Sequence, residues 1–376
     1  MKNKIVIVYP SKIIDIRLYK FIKILSLNYE IFILSNGLLE KSNIFKDLDV
    51  KTFKNFDISS FLPGNLPFNI FRDIKISKEI DKINPDIVLV RDIFISTFKK
   101  NKTEKRKYYL DFCDHFPEVL EVLYGKKGKI FKKIANIIEK KALLEYDEKI
   151  FVSCEAIDFL KSKYSFEVKG TTIENVPLLE NNLEEILEIR NKKDLVYLGT
   201  INKKIRNLEV VFEAIKKLKR ENKKVTLSIY YFKHQIEIKK YYKELSKEMQ
   251  IEDLIFFNEA VPKDMLLNIL SEHKIGLVPH CRNSATDYTI PNKIYDYMQI
   301  GLPILCSDNP SLKNLIEKYG VGEVYKGNSN ENCMQLINKM LEKNLSEYSE
   351  NGKAAIKKSL NWKYQIVESG LFNIRK

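Results

Sequence analysis

The chain of 376 residues carries 44% hydrophobic and 30% charged side chains, a balance that suits folded domains and excludes a disordered or collagen-like polymer. At roughly 100–200 residues per domain, two domains are expected. The formal charge of +14 divides evenly, +7 in residues 1–180 and +7 in residues 181–376, so no basic tail carries it, and no RNA-binding signature points to a nucleic-acid partner.

Short β-branched runs alternate with longer segments of helical period. In chain order, Lys4–Tyr9 reads as a buried strand and Ile16–Leu27 as a helix. Glu30–Ser35 and Val50–Phe53 read as strands, Ile74–Ile83 as a helix, and Asp86–Val90 and Lys107–Leu110 as strands. A long helical stretch, Glu118–Tyr146, precedes the strand Lys149–Ser153. The polar stretch Val176–Lys193 reads as an interdomain linker.

The series then restarts. Leu195–Leu198, Val225–Tyr231, Ile255–Phe257, Ile275–Pro279 and Pro303–Ser307 read as strands. Asn207–Arg220, Ile236–Met249, Met265–Leu270 and Pro291–Ile300 read as helices, and the residues from Ser311 on as mainly helical. Strands alternating with helices imply parallel βαβ units. The expected fold class is α/β, with two Rossmann-like doubly wound domains facing a cleft. Their expected extents are residues 1–180 and 181–360, with 361–376 a C-terminal helix packing back towards the first domain.

Five scattered cysteines (Cys113, Cys154, Cys281, Cys306, Cys333) form no C-x-x-C pair, which suits a reducing compartment and no zinc site. No run approaches ~18 apolar residues, and the apolar run ended by Pro10 is too short for a signal-peptide core. A cytoplasmic location is expected.

The most informative stretch is His280–Asp308, HCRNSATDYTIPNKIYDYMQIGLPILCSD. A strand ends at Pro279, and a polar loop leads to a helix with Pro291 at its first position and Gly301 at its stop. Free N–H groups and the positive dipole end at such a start favour phosphate. Lys293 would add a cation one turn in. Asp296, further along the same side, could accept from ribose hydroxyls.

The run P-N-K-I-Y-D-Y-M-x-x-G-L-P-I-L resembles the C-terminal signature of GT-B glycosyltransferases, especially glycosyltransferase family 4. Leu195–Thr200 resembles the first strand and turn of that family's donor domain, and Asn258–Pro262 with Met265–Ile269 its base-binding turn. Asp111–Glu118, Phe151–Ser153 and Ile173–Pro177 resemble acceptor-domain landmarks. The resemblance implies donor contacts from Gly199, Thr200, Arg206, Val261, Ile290, Pro291, Asn292, Lys293 and Asp296. Among the basic residues after Gly199-Thr200, Arg206 is favoured, because a guanidinium grips phosphate oxygens bidentately. The family often has two glutamates separated by seven residues. Asp296 stands at the second, Tyr288 at the first, and Asp287 is the adjacent acid. The glycine-rich loop usual after the first strand is replaced by Tyr9-Pro10-Ser11-Lys12, with Asp15 and Arg17 opening the helix.

His115 is suited to proton transfer near neutral pH, or is a buried polar histidine; Asp114 is an equal candidate for the acceptor hydroxyl. His234 and His273 read as surface residues, and His280 as lying at the mouth of the donor site. Asp47-Leu48-Asp49 matches an Asp-x-Asp metal motif but reads as a strand-edge charge pair, so neither metal nor cofactor is expected. Lys126–Lys141 holds seven lysines and one Glu along an isoleucine stripe. That suits either an anionic membrane surface or a core-packed helix with a solvated lysine face. The resemblance implies transfer of a sugar from a nucleotide sugar to a glycan or lipid-linked acceptor in bacterial capsule or lipopolysaccharide assembly, retaining and metal-independent. The alternatives are a nucleotide-sugar epimerase on the same fold or a non-enzymatic polyanion binder.

Overall fold

The computed structural model describes residues 2–39, 53–60, 68–179, 193–232, 234–372 and 374. The chain divides into two compact units, Met1–Glu174 with Trp362–Lys376, and Asn175–Asn361.

In the first unit the strands are β1 (Asn3–Tyr9), β2 (Tyr29–Ser35), β3 (Phe53–Asp57), β4 (Ile87–Arg91), β5 (Lys107–Phe112), β6 (Glu148–Phe151) and β7 (Thr171–Thr172). They form one parallel sheet in the order β3-β2-β1-β4-β5-β6-β7. Ile5 faces Ile31 on one side and Ile87 on the other. A parallel sheet covered by helices on both faces needs apolar side chains pointing both ways. Hence Ile5 to Val8 are fully buried without alternation. The helices are α1 (Ile16–Leu25), α2 (Ile70–Ile83), α3 (Phe116–Glu145) and α4 (Cys154–Tyr164). Asp15 caps α1 by accepting from Leu18 N–H at 2.7 Å.

The second unit has β8 (Lys193–Leu198), β9 (Leu227–Tyr231), β10 (Ile255–Glu259), β11 (His273–Val278), β12 (Ile304–Ser307) and β13 (Gly322–Tyr325). They are parallel in the order β10-β9-β8-β11-β12-β13. Around them lie α5 (Leu208–Arg220), α6 (Ile236–Glu248), α7 (Lys263–Leu270), α8 (Lys293–Ile300), α9 (Pro310–Tyr319), α10 (Asn330–Glu342) and α11 (Ser346–Lys358). Val211, Phe212, Ile215 and Leu218 of α5 are buried, the face that its helical period marks as apolar. A last helix, α12 (Trp362–Glu368), belongs to the first unit, where Trp362 packs edge-on to Phe21 at 5.0 Å.

Several details differ from the sequence expectation, among them the two-residue edge strand β7, which was not anticipated. The third strand runs from Phe53 to Asp57, so only its first residue coincides with the expected one; residues 50–52 lie outside the described set. The helix α4 and the short edge strand β13 were not anticipated. The long helix α3 is two helices joined at Gly125, whose φ of +58° only glycine adopts readily. Its second part folds back so tightly that a Cβ on Gly128 would meet the Leu120 carbonyl.

Candidate functional site

In the second unit the winding reverses between β8 and β11, and open α/β sheets bind ligands beyond the carboxyl ends of strands at such a point. The chain leaves β8 through Gly199, whose φ is +112° and whose N–H donates to the Tyr230 carbonyl at 2.8 Å. A Cβ there would stand 3.4 Å from Lys293 Nζ, so glycine leaves room for that amine. The loop that follows is laced to the one leaving β11. Asn207 N–H donates to the Pro279 carbonyl at 2.7 Å, and Cys281 N–H to that of Ile205 at 3.3 Å. Arg206 and His280 form an antiparallel bridge between the two loops.

Helix α8 begins at Lys293, not at Pro291. Lys293 is therefore its first residue and not one turn in, which brings the amine back to the strand ends. Pro291 and Asn292 form a tighter lead-in, with Ile294 N–H donating to Pro291 O and Tyr295 N–H to Asn292 O. The Asn292 side chain makes no cap. Among the described residues the N–H groups of Ile290, Asn292 and Lys293 have no backbone acceptor, so the helix start keeps its affinity for an anion.

Four buried side-chain nitrogens here have no hydrogen-bond partner among the described residues: Lys293 Nζ, Arg206 Nε, and His280 Nδ1 and Nε2. Lys293 is 7% exposed and His280 1%. The Lys293 amine lies over the Tyr197 ring, 3.8 Å from its centre. Burial, with Arg206 beside it, holds that amine well below the ordinary lysine value, while Asp296 pulls the other way. Burial, then Arg206 and Lys293, keep the His280 imidazole neutral. Buried polar groups are normally satisfied, so orphans of one chemical kind gathered at one point mark the place of an absent partner. Lys293, Arg206 and one nitrogen of His280 can each donate, and the partner such donors fit is an anion.

The other expected donor residues are spread more widely. Thr200 follows Gly199 and accepts from the Tyr197 hydroxyl. Ile290 is buried, and Asp296 is half-buried on α8. Val261 lies in the turn after β10, at the sheet edge two strands from β8. Asp287 is held within its loop by Arg282 at 3.0 Å and by Asn309 Nδ2 at 2.7 Å. Those bonds brace the loop between β11 and α8. Lys203 and Lys204 are exposed, as expected of a surface run.

In the first unit the matching reversal lies between β1 and β4, and its own side chains fill it. Arg17 pairs with Asp111 at 2.7 Å; Arg91 reaches Asp111 at 3.0 Å, Asp15 at 2.9 Å and Cys113 Sγ at 3.0 Å. Burial alone would raise the Asp111 carboxyl, but Arg17 and Arg91 outweigh it and hold it below the ordinary value. Sequence reading missed this cluster; its only trace is a charged residue near the end of each apolar strand run, Arg91 and Asp111.

Asp114 keeps an exposed surface, although surrounding protein raises its carboxyl to about 6; that open surface means water offsets part of the shift. His115 is 3% exposed and packs edge-on to Phe159, with burial lowering it to about 4. The structure thus places His115 in the core. Asp92 was also missed. It is a non-glycine residue at φ +110°, accepts from Phe94 N–H at 2.7 Å, and is raised by burial, with Asp114 adding, to about 7. His273, expected at the surface, is fully buried, whereas His234 is exposed. Asp47 and Asp49 lie outside the described residues, among which no group of three His, Cys, Asp or Glu side chains could hold a metal ion.

Residues 180–358 match the family model described as glycosyl transferases group 1. That match falls within the second unit. A comparison with curated protein sequences finds no match. Solved structures similar over the whole chain include a glycosyltransferase from Rickettsia africae, with 17% identity and a TM-score of 0.70, covering 98% of this chain and 96% of that one. Sucrose-phosphate synthase from Thermosynechococcus elongatus has 11% identity and a TM-score of 0.73, with 98% of each chain covered. Anabaena HepE, solved with UDP, has 13% identity and a TM-score of 0.69, covering 98% and 99%. The fold is GT-B, and the chain is a glycosyltransferase.

Proposed function

We propose that this chain transfers a sugar from a nucleotide-sugar donor to a glycan or lipid-linked acceptor in bacterial surface polysaccharide assembly, with retention and without a metal. The observation that carries the reading is the set of unpartnered nitrogens on Lys293, Arg206 and His280 beside the start of α8. Leaving-group charge on the diphosphate falls to Lys293, Arg206 and the N–H groups near Ile290–Asn292, with Asp296 towards the ribose and Val261 towards the base. These cations do what a divalent ion otherwise does. Asp114 is the candidate for the acceptor hydroxyl, and Asp287, engaged by Arg282, serves better as a brace. Structural relatives support the donor class: Anabaena HepE was solved with UDP and with UDP-glucose. WaaG, at 12% identity and a TM-score of 0.66, is titled a glycosyltransferase of lipopolysaccharide biosynthesis. Thermal melting with a panel of nucleoside diphosphates and their sugars tests the donor, since a ligand bound only by the folded state raises the midpoint. One matching family of nucleotides is expected to shift it; no shift with any of them defeats the reading. Transfer is expected to persist in excess EDTA, and dependence on Mn²⁺ or Mg²⁺ would defeat metal independence.

The same reading places the enzyme peripherally at the inner face of the cytoplasmic membrane. Among the described residues no helix is long and apolar enough to cross one. The second part of α3 buries Ala135, Ile138 and Ala142 but leaves Ile130 66%, Ile134 42% and Ile137 66% exposed. At ~100° per residue those three share a stripe roughly 100° round the helix from the buried face, with Lys126, Lys133 and Lys140 on its far flank, Lys127 on its near flank and Lys141 between them. Phe68 shares a hollow with Ile137 and Lys141, and α2, which starts two residues later, leaves Ile70, Phe71 and Ile74 exposed. An apolar stripe between lysines suits an anionic leaflet. Lys132 does not take part, being tied to Glu118 and Glu121. Co-sedimentation is expected with phosphatidylglycerol vesicles and not with phosphatidylcholine. It should weaken with salt and on changing Lys126, Lys127, Lys133 and Lys140 to Gln. Sedimentation indifferent to lipid charge and to those changes would remove the membrane from this reading.

A further inference from the structure

The groups around Lys293 pose a problem of charge. Arg206 comes from the loop after β8, His280 from the end of β11, and Asp296 from the same helix as Lys293. Tyr197 of β8 presents its ring face to the amine, and its hydroxyl is spent on Thr200 O. The guanidinium keeps its proton at any working pH, so the site always holds one positive charge. A second on Lys293 and a third on His280 would stand beside it in a water-poor space. Among the described residues the carboxylate that opposes the charge on Lys293 is Asp296, half-buried one turn along α8. A lysine amine and an imidazole escape that repulsion by giving up a proton; a guanidinium does not. The arrangement is complete only with an anion present.

We propose, resting on the donor reading above, that a nucleoside diphosphate enters this site together with a proton. The proton goes to the lone pair of Lys293 Nζ, turning –NH2 into –NH3⁺, while His280 gives a neutral N–H to the same phosphate. When the nucleotide leaves, the ammonium returns the proton to water. No bond to phosphorus forms or breaks in this step. The diphosphate supplies the counter-charge that the empty site lacks, and the ammonium then has acceptors for its hydrogens. Gly199 permits this by leaving the amine free space, and Arg206 enforces it by remaining charged throughout.

The sign follows from linkage. A group that holds its proton more firmly in the complex makes binding strongest below its free-site value. Affinity then falls tenfold per pH unit for one proton, up to its value in the complex. Burial and Arg206 lower Lys293 when the site is empty, so on this proposal the window runs from that lowered value up towards the ordinary lysine value, near 10.4.

Titration calorimetry of the whole protein with UDP at pH 8, in buffers of different ionisation enthalpy, reads the proton directly. The terminal phosphate, with its second ionisation near 6, is already ionised there and adds little. The expected result is close to one proton taken up per UDP, with affinity falling towards tenfold per unit from pH 7.5 to 9. Lys293→Arg carries a permanent charge and is expected to bind UDP with no uptake. His280→Gln keeps an N–H donor and is expected to bind several-fold more weakly with the uptake intact. Tight UDP binding without proton uptake overturns the proposal, as does uptake that survives Lys293→Arg. Uptake lost in His280→Gln alone moves the proton to the imidazole and overturns the assignment to lysine. If neither UDP nor inorganic pyrophosphate binds, the donor reading itself fails and takes this one with it.

Discussion

The two units have the same sheet reversal and treat it oppositely. At the β1/β4 reversal, two buried guanidiniums meet two carboxylates, and Asp111 is shared between Arg17 and Arg91. At the β8/β11 reversal, Lys293, Arg206 and His280 meet each other, and four nitrogens are left over. The first is a closed account of charge and behaves as architecture. The second is left short of counter-charge and is the site proposed here for a diphosphate. A crevice at a strand reversal is therefore only an opportunity; whether its side chains answer one another decides what it becomes.

The largest effect is expected from opening the closed cluster. Asp111→Asn leaves two buried guanidiniums short of a counter-charge, a loss of about 3–5 kcal/mol. Urea unfolding followed by a probe in the first unit should show it. A change below about 1 kcal/mol would mean that water already reaches the cluster.

The converse change should cost the fold nothing. Lys293→Met removes an unpartnered amine, so thermal stability without ligand should hold or rise. UDP affinity should drop roughly ten- to hundredfold, the equivalent of about 1.5–3 kcal/mol for hydrogen bonds to a charged group. Lost stability together with unchanged affinity would make Lys293 architecture, and the contrast between the units would collapse.

A further effect is expected in both units, and more in the second, where the buried His280 adds to His273. His115 in the first and His273 in the second are each lowered to about 4, in both cases chiefly by burial. The unfolded chain therefore binds protons that the folded chain refuses. Stability should fall as pH drops from about 6.5 towards 4, by roughly 1.4 kcal/mol per unit for each histidine, and level off below. Replacing either by Leu should flatten its share of an acid titration followed by circular dichroism. A slope that neither change alters would place the acid sensitivity elsewhere.

What could be read in advance follows physical range. β1, β4 and β8 were legible because a strand buried on both faces must be a continuous apolar run, which needs no knowledge of its neighbours. The edge strand β13, Gly-Glu-Val-Tyr, is too short and too mixed to carry such a signal. The start of α8 was misplaced because proline suits the first helical position, and here Pro291 stands before the cap instead. Lys293, Asp296 and Gly199 were nameable because they lie close along the chain to Gly301 and to the end of β8. Arg17 and Asp111, 94 residues apart, could not be paired without the sheet that joins them. The idleness of the His280 nitrogens is a fact about neighbours, and a sequence does not contain it.

The return of the chain to its first unit bears on how it is made. Trp362 is fully buried against Phe21, Phe372 packs on Phe21 and Tyr109, and the Tyr109 hydroxyl donates to Leu371 O at 2.9 Å. Arg17 of the charged cluster lies over the Trp362 ring, 5.1 Å from its centre. Glu174 N–H donates to Gln365 Oε1 at 2.8 Å, just where the first unit hands over to the second. During synthesis the first half therefore emerges lacking part of its own interior and must wait through the next 187 residues, Asn175–Asn361, for the missing piece. The second unit is continuous and has no such wait. The half that leaves the ribosome first is the half that finishes last.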